Sequence, residues 1–145
     1  MVKKRELSAS MEDYLEAILQ IIEEKGEVRS RDIMEKLNVT GPSVTEAFQQ
    51  LGERELIHYV PYEAITLTPA GKEIAQEILG RHIALRDFFS KILLVDYEIA
   101  DDGACKMEHV VSQRIVDRMV KYAEYLKIHG EEQEFAQFLD NKEVK

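Results

Sequence analysis

The sequence predicts a mainly α fold, an N-terminal winged helix-turn-helix unit followed by a helical unit suited to dimerisation. Three observations carry this expectation. Two short segments of helical period flank the breaker Asn38-Val39-Thr40-Gly41-Pro42, two β-rich segments flank Pro61-Tyr62-Glu63-Ala64, and apolar residues recur at helical spacing through most of the remaining C-terminal half. The division is expected at residues 1–71 and 72–145.

Met11, Tyr14, Leu15, Ile18, Ile21 and Ile22 define a first helix from Met11 to Glu24, with Ser10 as its expected N-cap. Asp13 and Glu16 stand at i, i+3 near its start, so their carboxylates project from one edge. Such a pair is either a solvated complement to the helix dipole or a pair of ligands. After Lys25-Gly26, Ser30 is expected to cap a short helix whose inner face is Ile33, Met34 and Leu37. Pro42 then opens another helix that turns Val44, Phe48 and Leu51 inward and leaves Pro42, Ser43, Thr45, Glu46, Gln49 and Gln50 outside. This is helix-turn-helix spacing, in which the start of the second helix reaches base edges, although the same hairpin also occurs as plain structure. On the DNA-binding reading, Ser43 and Glu46 lie nearest the bases with Thr40 and Pro42 at the same end, while Arg29, Arg31 and Tyr62 meet the backbone.

Leu56 to Val60 reads as a strand and Ile65 to Thr68 as its return, a β-wing. Thr68 and Pro69 cap and open a long connector helix with apolar positions Ile74, Ile78, Leu85, Phe88, Phe89 and Ile92. His82 lies beside that stripe, either a core-edge histidine or a ligand. Val95 to Asp102 is expected to be a short acidic connection, and Gly103 to introduce a helix running to about Lys127. That helix would place Cys105, Glu108 and His109 on one face, at i, i+3 and i+4. A thiolate, a carboxylate and an imidazole together suit a transition metal, whereas a single Cys is otherwise a small buried hydrophobe. The stripe Met107, Val111, Ile115, Met119, Tyr122 and Leu126 packs within the chain or against a second subunit. A last short helix is expected from Glu131 to Leu139, with a fraying tail from Asn141 to Lys145.

Composition narrows the function classes. At 145 residues, 45% hydrophobic and 32% charged, the chain can build a core, and it has no apolar run near the about 18 residues that span a bilayer. The start Met1-Val2-Lys3-Lys4-Arg5 leads into acidic residues rather than an apolar signal core, which points to the cytoplasm. One Cys excludes an internal disulfide and fits a reducing compartment. A net charge of -9 argues against broad non-specific nucleic-acid affinity, though a dimer can still present a local basic surface.

Five segments together resemble the diphtheria-toxin-repressor and manganese-transport-regulator family of metal-responsive repressors. They are Met11-Glu12-Asp13-Tyr14-Leu15-Glu16, Gly41-Pro42-Ser43-Val44-Thr45, Leu67-Thr68-Pro69-Ala70-Gly71, Arg81-His82 and Ala104-Cys105-Lys106-Met107-Glu108-His109-Val110-Val111-Ser112. The likeness covers roughly residues 8 to 128, and the family's optional C-terminal SH3-like domain is not expected. It implies a winged-helix domain joined to a helical dimerisation domain, with metal held by residues matching Asp13, Glu16, His82, Cys105, Glu108 and His109. The chain is similar to iron-type members at Cys105 and to manganese-type members at Asp13 and Glu16. Where the iron-type ancillary site uses a glutamate and a histidine, this chain carries Arg86 and Asp101, so that site is not expected in its usual form. Glu46 stands where relatives tend to carry glutamine or lysine, favouring a hydrogen bond from cytosine.

The expectation is therefore a regulator with double-stranded DNA, a palindromic operator and a second copy of itself as partners, and no membrane. Fe(II) or Mn(II) is the expected corepressor, with Co(II), Ni(II) or Zn(II) able to bind in vitro. Metal would select the arrangement that spaces two recognition helices for successive major grooves. Two alternatives differ in kind. A winged-helix regulator answering an organic ligand would bind DNA regardless of chelators, and a metalloenzyme using Glu108 as a base would show turnover. The sequence has no HExxH, paired nucleophile or phosphate loop to support the last.

Overall fold

The computed structural model describes residues 7–142. The charged start at residues 1–6 and the last part of the expected fraying tail, residues 143–145, lie outside the described residues. Two compact units divide the chain, Met1–Leu79 and Gly80–Lys145.

In the first unit, α1 (Ala9–Lys25), α2 (Ser30–Leu37) and α3 (Gly41–Glu53) pack on one another. The core is formed by Tyr14, Leu15, Ile18, Ile33, Val44, Phe48, Leu51 and their neighbours, in agreement with the apolar periodicity except at Met34, which is expected on the inner face of α2 and is exposed because Ile33 alone fills that position. The caps differ from expectation. Ser8, rather than Ser10, is the N-cap of α1, its hydroxyl accepting from Met11 N at 3.1 Å. Arg29, rather than Ser30, is the N-cap of α2, because Asp32 reaches back to accept from Arg29 N at 2.9 Å and Ser30 is drawn into the first turn. Thr40 caps α3, its hydroxyl accepting from Ser43 N, and Pro42 stands in the first turn as expected.

The wing strands are shorter than their sequence pattern: β1 is Ile57–His58 and β2 is Thr66–Leu67, antiparallel, with Ile57 opposite Leu67. Left-handed backbone at Glu55 and Tyr62 confines regular pairing, while an isolated bridge from Val28 to Ile65 ties the wing to the loop before α2. The wing closes onto α4 (Pro69–Asp87) through Thr68, whose hydroxyl donates to Glu55 O at 2.7 Å and accepts from Gly71 N at 3.0 Å. Thr68 N also donates to Leu56 O at 3.1 Å. The helix start is thereby pressed against the chain leaving α3, and a Cβ at Gly71 would stand 1.9 Å from Leu56 O.

In the second unit, the end of α4 passes into a π-helical segment, Phe88–Ile92, where Leu93 N donates to Phe88 O at 3.0 Å. The expected acidic connection from Val95 to Asp102 is mostly helix: α5 spans Tyr97–Met107, with Asp96 as N-cap and Gly103 in its interior. The expected single helix to about Lys127 is two helices, α5 and α6 (Gln113–His129). Glu108 is the C-cap of α5, Val110 N and Val111 N both donate to Met107 O, and the Ser112 hydroxyl accepts from Ile115 N to start α6. The β-branched pair Val110-Val111 favours the break, whereas the apolar stripe runs through it without interruption. Leu85, Ala104 and Val116 form a small core supported by Ala84, Phe89, Val111 and Met119, and α7 (Glu132–Lys142) follows. Among the described residues, no helix is long and apolar enough to cross a membrane.

The Thr68–Gly71 closure gives a test of opposite signs. Gly71→Ala is expected to destabilise the protein by about 1–3 kcal/mol or more, as overpacking does, because the neighbouring atom is backbone. Gly80→Ala, where a Cβ meets nothing within 4 Å, should stabilise by about 0.5–1 kcal/mol through helix propensity. Urea denaturation of both variants checks the pair, and equal effects would contradict the close approach.

Candidate metal centre and nucleic-acid interface

The second unit gathers four polar side chains from three places in its sequence. Arg81 and His82 come from α4, Asp101 from α5, and Glu108 from the cap that ends α5. Glu108 is fully buried, and its Oε2 lies 2.7 Å from His82 Nδ1. The other ring nitrogen, Nε2, lies 2.7 Å from Asp101 Oδ1. Arg81 Nε donates to Glu108 O at 2.9 Å and so holds the cap backbone against α4. His109 Nε2 stands 3.4 Å from Glu108 Oε1, yet that oxygen is buried with no hydrogen-bond partner among the described residues.

A buried carboxylate oxygen without a donor is costly, by about 1–3 kcal/mol or more for a charged group. Two imidazoles beside such a carboxylate form a donor set that a divalent transition metal satisfies. The residues present therefore fit a metal ion.

Cys105 is exposed on α5, one turn before Glu108. Cys105 is exposed whereas Glu108 is fully buried; Glu108 keeps helical backbone, its N–H donating to Ala104 O at 2.9 Å, while His109 enters the turn. In the first unit, Asp13 is half-buried and Glu16 buried, one turn apart on α1. Of the ancillary-site positions, Arg86 is engaged by Asp87 at 3.3 Å and its guanidinium carbon lies 5.3 Å from the Tyr97 ring centroid, and Asp101 is engaged by His82. The Asp101–His82 contact escaped sequence reasoning, because the residues lie on separate helices and no period links them.

The first unit carries the candidate nucleic-acid interface. At the start of α3, Pro42, Ser43 and Glu46 are exposed, and Thr40 Oγ1 lies 2.9 Å from Ser43 Oγ. Gln50 Nε2 donates to Glu46 Oε1 at 3.5 Å, a weak restraint on an exposed carboxylate. Burial, and after it the Glu46 charge, push the Tyr14 phenol up from its ordinary value. Tyr62 is fully exposed at the wing tip with φ 70°, and Arg29 Nη1 donates to its carbonyl at 3.4 Å. Arg29 thus links the α2 start to the wing, while Arg31 is exposed and pairs with Glu35 at 3.3 Å. Hydrogen bonding to Lys25, then to Arg29 N, holds the Asp32 carboxyl below its usual range.

Two family patterns together match most of the chain. "Iron dependent repressor, N-terminal DNA binding domain" matches residues 6–65, and "Iron dependent repressor, metal binding and dimerisation domain" matches residues 68–134. The chain belongs to the iron-dependent repressor family. Members of this family are DNA-binding repressors, not enzymes. The chain is 42% identical over 110 residues to the HTH-type transcriptional regulator MntR of Bacillus pumilus, covering 76% of each chain. It is 34% identical over 122 residues to an uncharacterized HTH-type transcriptional regulator of Methanocaldococcus jannaschii, covering 83% of this chain and 98% of that one. Among solved structures, a manganese-dependent transcriptional repressor in complex with manganese is similar with a TM-score of 0.69 and 28% identity over 75% of this chain. IdeR of T. acidophilum is similar with a TM-score of 0.71 and 26% identity over 78%. This repressor spans about half the length of those two chains, 50% and 53%.

The exposed Glu46 yields a test. Glu46→Gln is expected to change preference at one base pair by about 1–3 kcal/mol while leaving metal affinity unaltered. Selection from random DNA with both proteins checks this, and recovery of the same site by both would remove Glu46 from the readers.

Proposed function

We propose that this chain is a homodimeric repressor of metal-ion homeostasis that binds a palindromic operator when Fe(II) or Mn(II) is held by Asp13, Glu16, His82, Cys105, Glu108 and His109. The observation that carries the reading is the buried Glu108 carboxylate, with one oxygen lacking a donor and imidazoles on both sides. Bound metal supplies the positive charge that this carboxylate lacks. Glu108 and His109 hold that charge at the end of α5, His82 presents Nδ1 from α4, and Arg81 keeps the cap in place. Asp13 and Glu16 fit as further ligands because their carboxylates share one edge of α1.

Three carboxylates, two imidazoles and one sulfur suit five- or six-coordinate Fe(II) or Mn(II) better than a closed tetrahedral zinc site. Affinity in vitro follows the Irving–Williams order and so favours Zn(II), which makes DNA binding the relevant readout. On the DNA side, Ser43 and Glu46 are the proposed readers, supported by Thr40 and Pro42, with Arg29, Arg31 and Tyr62 at the phosphates.

Binding to the chain's own promoter region is expected to disappear with a chelator and to return with Mn(II) or Fe(II) added singly. Specific binding that persists in chelator would overturn the reading. Cys105→Glu should shift the metal concentration needed for DNA binding toward Mn(II) and away from softer ions, and an unchanged ranking would remove the thiol from the ligand set.

A further inference from the structure

We infer that Asp101 is a positioning residue for the metal centre, holding the Nε2–H of His82 so that Nδ1 is the nitrogen presented to the ion. The inference rests on the proposed role of His82 as a ligand. A neutral imidazole has one nitrogen with a hydrogen and one with a lone pair, and the partner of the first decides which is which. His82 has a carboxylate oxygen 2.7 Å from each nitrogen, but the two carboxylates are not equivalent. Glu108 is fully buried with an oxygen that lacks a donor, so a cation belongs on the Nδ1 side. Asp101 has 45% of its side chain exposed, precedes Glu108 by about two helical turns, and meets the ring at Nε2. When Nδ1 gives its lone pair to a metal, the remaining ring hydrogen is on Nε2 and donates to Asp101. A carboxylate there raises the donor strength of Nδ1 and fixes the plane of a ring that would otherwise rotate about its side-chain bonds.

The test uses the full-length protein. In the Zn(II)-loaded chain, long-range 1H–15N spectra should show His82 with Nδ1 shifted by coordination and a slowly exchanging hydrogen on Nε2. Asp101→Ala should remove the slow exchange and weaken Mn(II) binding about 10–100-fold, the usual loss for an outer-shell partner. Asp101→Asn retains an acceptor and should lose less. Asp102→Ala removes an equal charge from the next residue, where it pairs with Lys106 at 2.7 Å, and should bind Mn(II) as wild type does. In a His82→Ala background, Asp101→Ala should add nothing further. Wild-type Mn(II) affinity in Asp101→Ala, beside a large loss in His82→Ala, overturns the positioning role alone, and so does an equal loss in Asp102→Ala. Wild-type affinity in His82→Ala removes His82 from the ligands and this inference with it. Coordination at Nε2 would make Asp101 a ligand and overturn it directly.

Discussion

A carboxylate placed at the end of a helix and then completely buried is the constraint around which the second unit is arranged. Glu108 closes α5, and its backbone carbonyl is taken by Arg81 while its side chain is taken by His82. Both partners are consecutive residues of α4, so a single turn of that helix secures the cap by its main chain and its side chain together. This is a demanding arrangement. Removing one member would leave another buried polar group without its partner, which costs more than the hydrogen bond itself contributes. The local hydrophobic core, Leu85, Ala104 and Val116 with their neighbours, is too small to make such a cluster incidental. Polar groups occupy positions where apolar side chains of similar volume would pack more easily, which is the expectation for a site that binds something.

The first unit solves a different problem, the presentation of a short helix start and a loop on a rigid frame. Thr68 makes two hydrogen bonds through its hydroxyl and one through its N–H, and they join the wing's return strand, the end of α3 and the start of α4. Gly71 is required there by proximity rather than by an unusual φ, since the carbonyl of Leu56 occupies the space of its missing Cβ. Arg29 makes the corresponding link on the other side, from the α2 start to the Tyr62 carbonyl. The exposed residues of α3 and the wing are thus displayed by elements whose inner faces, Val44, Phe48, Leu51 and Ile65, are fixed in the core.

Much of this was legible in the residues, and the parts that were not have identifiable causes. Periodicity located α1 and α3 because their inner faces are unbroken, it located α2 through Ile33 and Leu37 although Met34 is exposed, and it located the connector because Thr68-Pro69 is a strong start signal. It failed at the break between α5 and α6, where Met107, Val111 and Ile115 keep a four-residue spacing straight through a turn made by Ser112 and by bonds to the Met107 carbonyl. The N-caps moved by one or two residues because Ser8 and Ser10 are equivalent candidates by residue type, and because Asp32, by accepting from Arg29 N, outweighs the preference for serine at Ser30. The metal-ligand candidates Glu108 and His109 were recognisable by residue type and spacing. Asp101 was not, because its significance is its distance from His82, and a separation of nineteen residues across two helices leaves no trace in a local pattern.

The charge of the chain bears on how a metal switch can work. With a net charge of -9, long-range attraction to DNA is weak, so phosphate contacts must come from a few local cations. Those cations are partly occupied: Arg31 pairs with Glu35, Arg29 lies 3.6 Å from Glu27, and Lys25 pairs with Asp32. Exposed pairs of this kind contribute little in water, so giving them up to phosphate costs little, but the neighbouring carboxylates remain and continue to repel the backbone. A single winged unit with this charge is therefore expected to bind DNA weakly on its own. Such weakness would suit the proposed regulation, because a protein with strong non-specific affinity would occupy DNA whatever the spacing of its recognition helices. On the proposed palindromic operator, where each half-site would contribute little, simultaneous engagement of both would be decisive, and geometry set by metal would be translated into occupancy.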